Sequence, residues 1–462
     1  MKKTGVLLIL AAMARGVHAQ IDPDLARIPD MVTAAEPLPA ARDSDITGKS
    51  FIEDAATIGW NRSTLAVPFP APMPAERQNR TTLDAAYQWT AGGGLSASWS
   101  DRFNIAEASD IGLPSHQMLR NDLKEGFVSW EAAPQTYLEL GRINHRQGVS
   151  LGYSPTDYFK AATQVDLSSA DPSVLRADRL GTAMISGQHV WDGGALTLLF
   201  APKLGHQPAI PDATVDGMDP RFSQTNNRPK ALLSVSEDIH AFTALASVYR
   251  EGERTQFGTE LTCPIGQSVI AYGEWSGGRR PDLIAQAFEF GKQTGAIPTA
   301  APLVLPTSPA SRFQNALSVG ASWSTAGSLT VNLEYHFSQA GLSRQDWKTL
   351  FAAGSNPQLP FAAQEIWYVR DYANYQEEPL SRGRGFVRLD WRPPANPKID
   401  LSMISFLSSL DASSLSQFSI NYFYSDKISL GVYATFTSGA HRTEYGSSDL
   451  SGNAIFQIDY YL

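Results

Sequence analysis

Charged side chains recur at every second position in several segments of this chain. Arg388, Asp390 and Arg392 are separated by single apolar residues, and Glu334 and Glu260 lie in two further segments of this kind. Because successive side chains of a β-strand point to opposite faces, each segment would place its charges on one face. Charges that line an aqueous space attract or repel ions and charged solutes. These five residues are therefore candidates for setting a charge preference.

A second chemistry that the pattern could support is hydrolysis. His336 lies two residues after Glu334 and shares its face, so a serine from a neighbouring strand could complete a set of nucleophile, base and orienting acid. The chain has no G-x-S-x-G, H-E-x-x-H, Walker, G-x-G-x-x-G or C-x-x-C motif. Its one cysteine, Cys263, is expected to be a small apolar strand residue. The sequence thus predicts no enzyme, no cofactor and no metal, and a barrel hydrolase is the least favoured alternative.

The N-terminus predicts export of the chain. Lys2 and Lys3 precede an apolar run from Val6 to Ala14, and small residues flank His18, as in a secretory signal peptide of residues 1–19. Cleavage before Gln20 would remove 3 of the 37 basic residues and leave 34 against 46 acidic ones, a net charge of −12. A nucleic-acid partner is not expected for so acidic a chain.

The remaining chain divides into two predicted regions. Residues 20–80 are rich in Pro, Ala and Asp, and every second residue from Pro68 to Pro74 is proline, so this region is expected to be an extended arm. Over residues 81–462 apolar and polar residues alternate in segments of roughly ten residues. Counting these segments predicts an all-β fold, a transmembrane antiparallel β-barrel of about 16 to 18 strands.

The segment 329–338 shows the alternation most clearly, because every odd-numbered residue is apolar and every even-numbered residue is polar. One face suits lipid and the other suits water. After Gln20 no apolar run reaches the roughly 20 residues that a membrane-spanning helix needs. Since only helices and closed barrels satisfy every backbone hydrogen bond in lipid, a barrel is the membrane structure that this sequence allows.

The connections and the end of the chain indicate a particular membrane. Short turns at 92–94 and 192–194 contrast with long connections at 203–229, 277–312 and 339–363, as in outer-membrane barrels with short periplasmic turns and long outer loops. The alternating residues 456–462 resemble the C-terminal assembly signal of Gram-negative outer-membrane β-barrels. The expected location is the Gram-negative outer membrane. The expected partners are its lipid, lipopolysaccharide, the barrel-assembly machinery and a hydrophilic solute.

Residues 138–148 and 152–159 carry a resemblance to a family. They contain Gly141-Arg142, Gly148 and the run Ser154-Pro155-Thr156-Asp157, followed by an aromatic residue. This pattern resembles a strand-then-loop signature of the alginate-export and related porin-like families of Gram-negative barrels. The resemblance implies a channel with an arginine-rich lumen that attracts a polyanion, whereas the present chain is net acidic.

The positions of Arg142 and Arg146 pose a problem of parity. Both share the parity of Leu138 and Leu140, so one regular strand cannot send all four side chains to suitable faces. Either Gly141 marks a bulge or the strand leaves the membrane there. The mixed-charge stretch from Asp157 to Arg179 that follows is expected either to fold inward and narrow a pore or to form an external loop. Seven residues are thus candidates to line the pore: Arg142, Arg146, Glu260, Glu334, Arg388, Asp390 and Arg392.

Two short helices are predicted in the long loops. Ser343 and Asp346 form a capping box ahead of an apolar face, and Gly354 ends that helix. A similar stretch begins at Arg279 and has Leu283 and Phe288 on its apolar face. Each helix would either plug or gate the lumen or pack on the outer rim.

A barrel of 16 to 18 strands is wide enough for an aqueous lumen. The sequence therefore predicts an outer-membrane channel for passage or export of a hydrophilic solute or a polysaccharide-like substrate. The alternative is a sealed outer-membrane barrel with a structural or assembly role. Arg388 and Arg392 on one predicted inward face favour an anionic or sugar-like substrate, because screening limits the influence of more distant acidic groups.

Overall fold

Antiparallel strands form one closed sheet in the computed structural model of the protein. The structure describes residues 45–69, 73, 76–109, 116–165, 169–206, 219–301, 303–308, 310–359 and 361–462. In that part of the chain the strands are β1 Asp45–Asn61, β2 Arg77–Ala91, β3 Leu95–Ser109, β4 His116–Ala133, β5 Thr136–Ile143, β6 Thr182–Trp191, β7 Gly194–Ala201, β8 Lys230–Ile239, β9 Phe242–Glu251, β10 Arg254–Ile265, β11 Val269–Arg280, β12 Arg312–Ser324, β13 Leu329–Ser338, β14 Gly383–Trp391, β15 Ile399–Ser408, β16 Ser414–Ser425, β17 Ile428–Ser438 and β18 Leu450–Tyr461. The helices are α1 Pro172–Ala177, α2 Phe222–Thr225, α3 Leu283–Thr294, α4 Arg344–Gly354 and α5 Ala362–Tyr375.

The sheet closes because its first and last strands pair. Each strand is hydrogen-bonded to the next along the chain, and β1 also pairs with β18 from Phe51 opposite Tyr461 onward. Closure removes the unpaired edges that an open sheet would leave. The predicted all-β class and barrel are confirmed, and the 18 strands of the sheet lie within the predicted range.

The two faces of the strands differ as the alternation predicts. On β13 the apolar side chains of Leu333 and Tyr335 point outward and are 53% and 44% exposed, whereas His336 and Ser338 point inward and are buried. The same alternation holds on β17, where Val432 is exposed and Ser429 is buried. The barrel therefore has an apolar exterior and a polar interior.

Residues 45–61 and 77–80 of the predicted arm are strands of the barrel, which corrects the predicted boundary at residue 81. Residues 45–61 form β1, so the barrel begins at Asp45 and not at residue 81. The alternation of β1 is hidden in the sequence because Ser50 and Asp54 interrupt its outward face, where Asp54 accepts hydrogen bonds from Asn79 and Thr81. The predicted signal peptide and the first part of the predicted arm lie outside the described residues.

The two ends of the barrel differ in their connections. Short turns at 92–94, 192–193 and 426–427 lie at one end, which we call the turn end. The long connections 144–181, 281–311 and 339–382 lie at the other end, which we call the loop end. None of the helices within the described ranges has the length and apolar character needed to cross a membrane.

Three helices pack together at the loop end and form what we call the helical cap, α3, α4 and α5. The predicted capping box of α4 is present, since the Ser343 hydroxyl accepts from the Asp346 amide and the Asp346 carboxylate accepts from the Ser343 amide. Helix α3 begins after Asp282, whose carboxylate accepts from the Ala285 amide. Both predicted helices are confirmed. They bury an apolar cluster with α5 and with Val67 from the loop between β1 and β2.

Candidate functional site

The connection between β5 and β6, residues 144–181, folds into the barrel, and we call it the lumen loop. Its Gln147 side chain donates to Glu260 on β10, and the amide of Ala170 donates to the Gln417 side chain on β16. The loop therefore reaches inward-facing residues on strands that lie six positions apart in the 18-strand wall. Of the two expectations for the stretch from Asp157 to Arg179, the inward fold is confirmed and the external loop is wrong.

Three inward glutamates hold the tip of the loop, and we call Glu260, Glu274 and Glu334 the glutamate clamp. Glu274 on β11 accepts from the amides of Val149 and Ser150 and, at 2.7 Å each, from the hydroxyls of Ser154 and Thr156. Hydrogen bonds to a buried carboxylate are stronger than those between neutral groups. Glu274 is therefore the main anchor of the loop.

The third member of the clamp explains why the loop carries a glycine at position 152. Glu334 on β13 accepts from the amides of Leu151 and Gly152 at 2.7 and 2.8 Å. A β-carbon at position 152 would lie 2.7 Å from the His336 ring and 2.5 Å from Phe386, which is too close for any side chain. Only glycine lets the backbone approach this wall.

Glu334 and His336 are the two residues that could have formed part of a hydrolytic site, and their contacts bear on that role. The His336 Nε2 atom lies 2.7 Å from Glu334, and Ser318 on β12 is the cross-strand neighbour of His336. All three side chains are buried beneath the lumen loop. Glu334 also accepts from the amides of Leu151 and Gly152 and from the Tyr272 hydroxyl, so the geometry favours a structural role for this pair.

An internal ion pair closes the lumen loop on itself. Arg179 donates to both carboxylate oxygens of Asp157, at 2.8 and 3.0 Å, and also to the Asn144 side chain and the His145 carbonyl. Although burial alone would raise the pKa of Asp157, Arg179 and Arg176 hold that pKa below its usual value. The pair thus joins the start, the middle and the end of the loop.

The resemblance residues at 152–159 are part of this inward structure. Tyr158 stacks on Tyr249 of β9 with ring centroids 4.5 Å apart, and its hydroxyl lies 3.3 Å from that of Ser276. Together with the Ser154, Thr156 and Asp157 contacts, this accounts for the polar residues of the motif. The motif positions the loop in the lumen.

The two arginines of the motif strand lie in different surroundings. β5 stays in register through Gly141, whose φ of 141° favours glycine, so the predicted bulge does not occur, and the strand ends two residues later at Ile143. Arg142 is buried and donates to the carbonyls of Gly181 and Pro220. Arg146 follows the strand and is exposed within the lumen loop.

The three charged residues predicted from the β14 segment also lie in different surroundings. Arg388 is buried inside the barrel, with its Nε atom 2.9 Å from Asp390 and 3.3 Å from Asp171 of the lumen loop. Arg392 lies beyond the end of β14 at the turn end, 54% exposed and paired with Asp400. The strand ends at Trp391, so Arg392 lies at the rim, and its place among the pore-lining residues stays a prediction.

A charged wall lies opposite the clamp, and its residues are not among those predicted to line the pore. The inward faces of β1 to β4 carry Glu53, Arg80, Asp84, Arg102 and Lys124, which are joined by ion pairs. These charged residues could have been predicted from the sequence, because they alternate along their strands with outward apolar residues such as Leu83 and Phe103. Asp178 of the lumen loop also belongs to this network.

No group of His, Cys, Asp or Glu side chains suited to a metal ion occurs among the described residues. Cys263 lies partly exposed on β10 and is a free thiol.

The helical cap meets the lumen loop at the end of α5. The amide of Ala162 donates to the Tyr375 carbonyl at 2.8 Å, and Glu378 accepts from the Tyr153 hydroxyl at 3.0 Å. Burial raises the pKa of the neighbouring Glu377 to about 7, with Asp157 adding to that effect and Arg179 opposing it. A carboxyl group with a pKa near neutral thus lies within electrostatic reach of Asp157 and Arg179 of the lumen loop.

We expect the contact between cap and loop to weaken as pH rises. Since the pKa of Glu377 is raised above its ordinary 4.5, its stabilising contribution is complete below 4.5 and is lost as pH rises through about 7. The hydrogen-exchange protection factor of the Ala162 amide should fall roughly tenfold between pH 6 and pH 8. Glu377→Gln should remove this dependence. The amide of Phe423, which donates to the Lys398 carbonyl at the turn end, serves as the reference; an equal change there would show that Glu377 is not the cause.

Comparisons with known proteins bear on the fold. No family model and no curated protein matches this chain. The structure of Pseudomonas aeruginosa OccK11 (OpdR) aligns with a TM-score of 0.51 and 10% identity over 90% of this chain and 96% of that one. Acinetobacter baumannii OccAB1 aligns with a TM-score of 0.51 and 10% identity over 93% and 99%. The narrower likeness to alginate-export proteins stays a prediction. The chain has the fold of Gram-negative outer-membrane porins, a closed antiparallel barrel of 18 strands.

Proposed function

We propose that this chain is a channel of the Gram-negative outer membrane that lets a hydrophilic solute pass beside the lumen loop. The observation that carries the proposal is a barrel with an apolar exterior and a charged interior that is narrowed by an anchored inward loop. Barrels of this size without such a loop have a wide aqueous lumen. A loop fixed inside one restricts which solutes pass.

Cavities on both sides of the lumen loop support passage. One lies between the loop and the helical cap and is lined by Lys160, Arg254, Glu289 and others. Another reaches from Asp178 towards Thr47 and Gln88 near the turn end. Both cavities are bordered by residues of the lumen loop.

The substrate class that we propose is anionic or sugar-like. Arg388 and Asp390 line the interior next to the loop, and the partly exposed ring of Phe290 on α3 borders the cavity between the loop and the helical cap. Charged groups with aromatic faces suit polyhydroxylated and anionic solutes. The same proposal extends to export of a polysaccharide-like product. The size of the largest solute that passes would distinguish such export from the passage of small solutes. Cleavage of residues 1–19, lipopolysaccharide contact and assembly by the barrel machinery accompany this proposed location.

A sealed barrel with a structural role is the second candidate function. The observation in its favour is the direct packing of the helical cap on the lumen loop, through Ala162 and Tyr375 and through Glu378 and Tyr153. A cap that stays in place would cover this side of the lumen.

Reconstitution into planar bilayers and liposomes tests the proposal. We expect discrete single-channel currents, and swelling of liposomes in small sugars that decreases with sugar size. Arg388→Glu should shift the reversal potential in a salt gradient towards cation preference, because this charge lies inside the barrel. Arg392→Glu at the exposed rim is the matched control and should leave that potential nearly unchanged. Absence of both current and swelling in the native protein would support the sealed barrel instead.

A further inference from the structure

Polar side chains interrupt the apolar outward face of the barrel on strands β1 to β4. On β1 the exposed Asp54 shares its face with Ile52 and Ile58, which are 41% and 45% exposed. The strand pairing places further polar residues on this outward face, namely Arg77, Asn79 and Thr81 on β2, Asp101 and Glu107 on β3, and Asn121 on β4. We call these seven residues the polar outer patch.

The patch lies at the depth of the lipid tails. Tyr87 and Trp99, whose rings stack with centroids 6.2 Å apart, mark the turn-end edge of the outward apolar band, and Trp60 marks its loop-end edge. Because Tyr87 is the cross-strand neighbour of Gly48, Asp54 is six residues from each edge. Six residues of a strand tilted by about 40° span about 15 Å of membrane depth. Asp54 therefore lies near the middle of the membrane.

Hydrogen bonds within the chain only partly satisfy the carboxylates of the patch. Within the described chain Asp54 accepts at one oxygen, Oδ1, from the Thr81 hydroxyl at 3.0 Å and the Asn79 amide at 3.4 Å. Asp101 interacts with the Asn121 side chain, yet its Oδ1 atom has no hydrogen-bond partner among the described residues. Lipid tails offer no donors, so charged groups on a lipid-facing surface are costly. The chemistry of the patch thus calls for a cover other than lipid.

Other stretches of the wall show what contact with lipid requires. Every outward residue of β13 is apolar, and so is every outward residue of β17 from Ile428 to Phe436. The patch also differs in shape, because small residues surround its polar groups, among them Ser50 and Ala56 on β1 and Ala85 on β2. Small residues let packed surfaces approach closely in membranes. Another barrel wall can therefore come near the patch.

A second copy of this chain fits the patch best. The patch contains both acceptors, the carboxylates of Asp54, Asp101 and Glu107, and donors, the Arg77 guanidinium and the amides of Asn79 and Asn121. A patch with both kinds of group is complementary to itself, as the interfaces of symmetric oligomers are. A copy inserted in the same orientation also presents its polar groups at the same depth.

We propose that the polar outer patch is an interface through which this chain associates with a second copy of itself in the membrane. Between two barrels, the carboxylates of Asp54 and Asp101 are shielded from lipid and can accept from donors of the neighbouring copy. The inference goes beyond the proposed channel function and holds whether or not the lumen conducts.

Cross-linking in outer membranes tests the interface and identifies the partner. In a Cys263→Ser background, Ala56→Cys beside the patch should react with a bis-maleimide to give a product of twice the mass of one chain. Co-expressed copies that carry two different affinity tags should be recovered together in this product. Val319→Cys, 41% exposed on the outward face of β12, is the matched control and should give no such product. Absence of the product from Ala56→Cys, equal yields from both positions, or a product that contains another protein would overturn the proposal.

A second experiment tests whether the polar groups cause the association. Replacing them by Asp54→Leu with Asn79→Leu in the Ala56→Cys background should abolish the cross-linked product, because lipid can then cover the face. Thr259→Leu, an equivalent change on the outward face of β10, should leave the yield unchanged. Heat-dependent migration on gels restricts the comparison to folded barrels. A folded double variant that still gives the native yield would show that the polar residues do not hold the copies together.

Discussion

Replacing Glu274 by alanine is expected to raise the single-channel conductance about threefold or more, because barrels of this size have a wide aqueous lumen once no loop narrows it. The carboxylate of Glu274 accepts from the Val149 and Ser150 amides and from the Ser154 and Thr156 hydroxyls. Each donor left unpaired inside the barrel costs about 1–3 kcal/mol. Together these costs favour a loop tip that leaves the wall and exchanges its lost contacts for water.

Two further variants make this experiment specific to the loop. Glu274→Gln keeps an acceptor oxygen and should give an intermediate conductance. Glu237→Ala removes a glutamate from β8 that accepts from Trp191 and does not touch the loop, so its conductance should equal that of the native protein. Sheet content by circular dichroism and heat-dependent migration on gels would show that each variant still forms the barrel. A folded Glu274→Ala barrel with native conductance would mean that the loop does not limit the current.

The fold follows from the sequence wherever the alternation is unbroken. The sequences of β13 and β17 indicate both that these segments are strands and which side chains point outward, because one face is apolar along its whole length. The strand β1 could not be identified in this way, since Asp54 points outward and is held by Asn79 and Thr81 from β2. A polar cluster between two strands is a tertiary feature that neither strand shows alone.

The helical cap shows the same division between local and distant causes. Helix α4 was predictable because Ser343 and Asp346 form its capping box within one turn. Helix α5 has no side-chain hydrogen bond at its N-cap, Phe361, and it forms by burying Ile366 and Trp367 against α3 and α4. Its stabilising contacts come from other loops.

The site was predictable in its parts and not in its assembly. Glu260 and Glu334 were identified as inward-facing from strand parity, but Glu274 was not, because the residues around it, Gly273 and Gly277 among them, blur the alternation. The sequence alone could not decide whether the stretch from Asp157 to Arg179 folds into the barrel or forms an external loop. The partners that decide between them, Glu274 and Ser150, are 124 residues apart.

Replacing Arg179 by leucine is expected to destabilise the lumen loop by about 3–5 kcal/mol, the usual cost of removing one partner from a buried ion pair. Arg179 and Asp157 are 1% and 2% exposed, and the guanidinium binds both carboxylate oxygens. The variant would leave Asp157 buried with Arg176, at 3.3 Å, as its nearby cation. The loop should become cleavable by protease in the folded barrel.

The effect should also change sign with pH. In the native protein the pKa of Asp157 is lowered, so its contribution is present above the ordinary value of 3.8 and is lost as pH falls through the lowered pKa. In Arg179→Leu burial would raise that pKa, and lowering the pH from 7 to 4 should then stabilise the loop.

Asp157→Asn combined with Arg179→Leu should recover part of the lost stability at pH 7, because it removes the unpaired charge. Arg392→Leu, in an exposed pair with Asp400, should cost less than about 1 kcal/mol and show neither behaviour. Protease resistance of the Arg179→Leu loop equal to that of the native loop at pH 7 would show that this ion pair does not hold the lumen loop together.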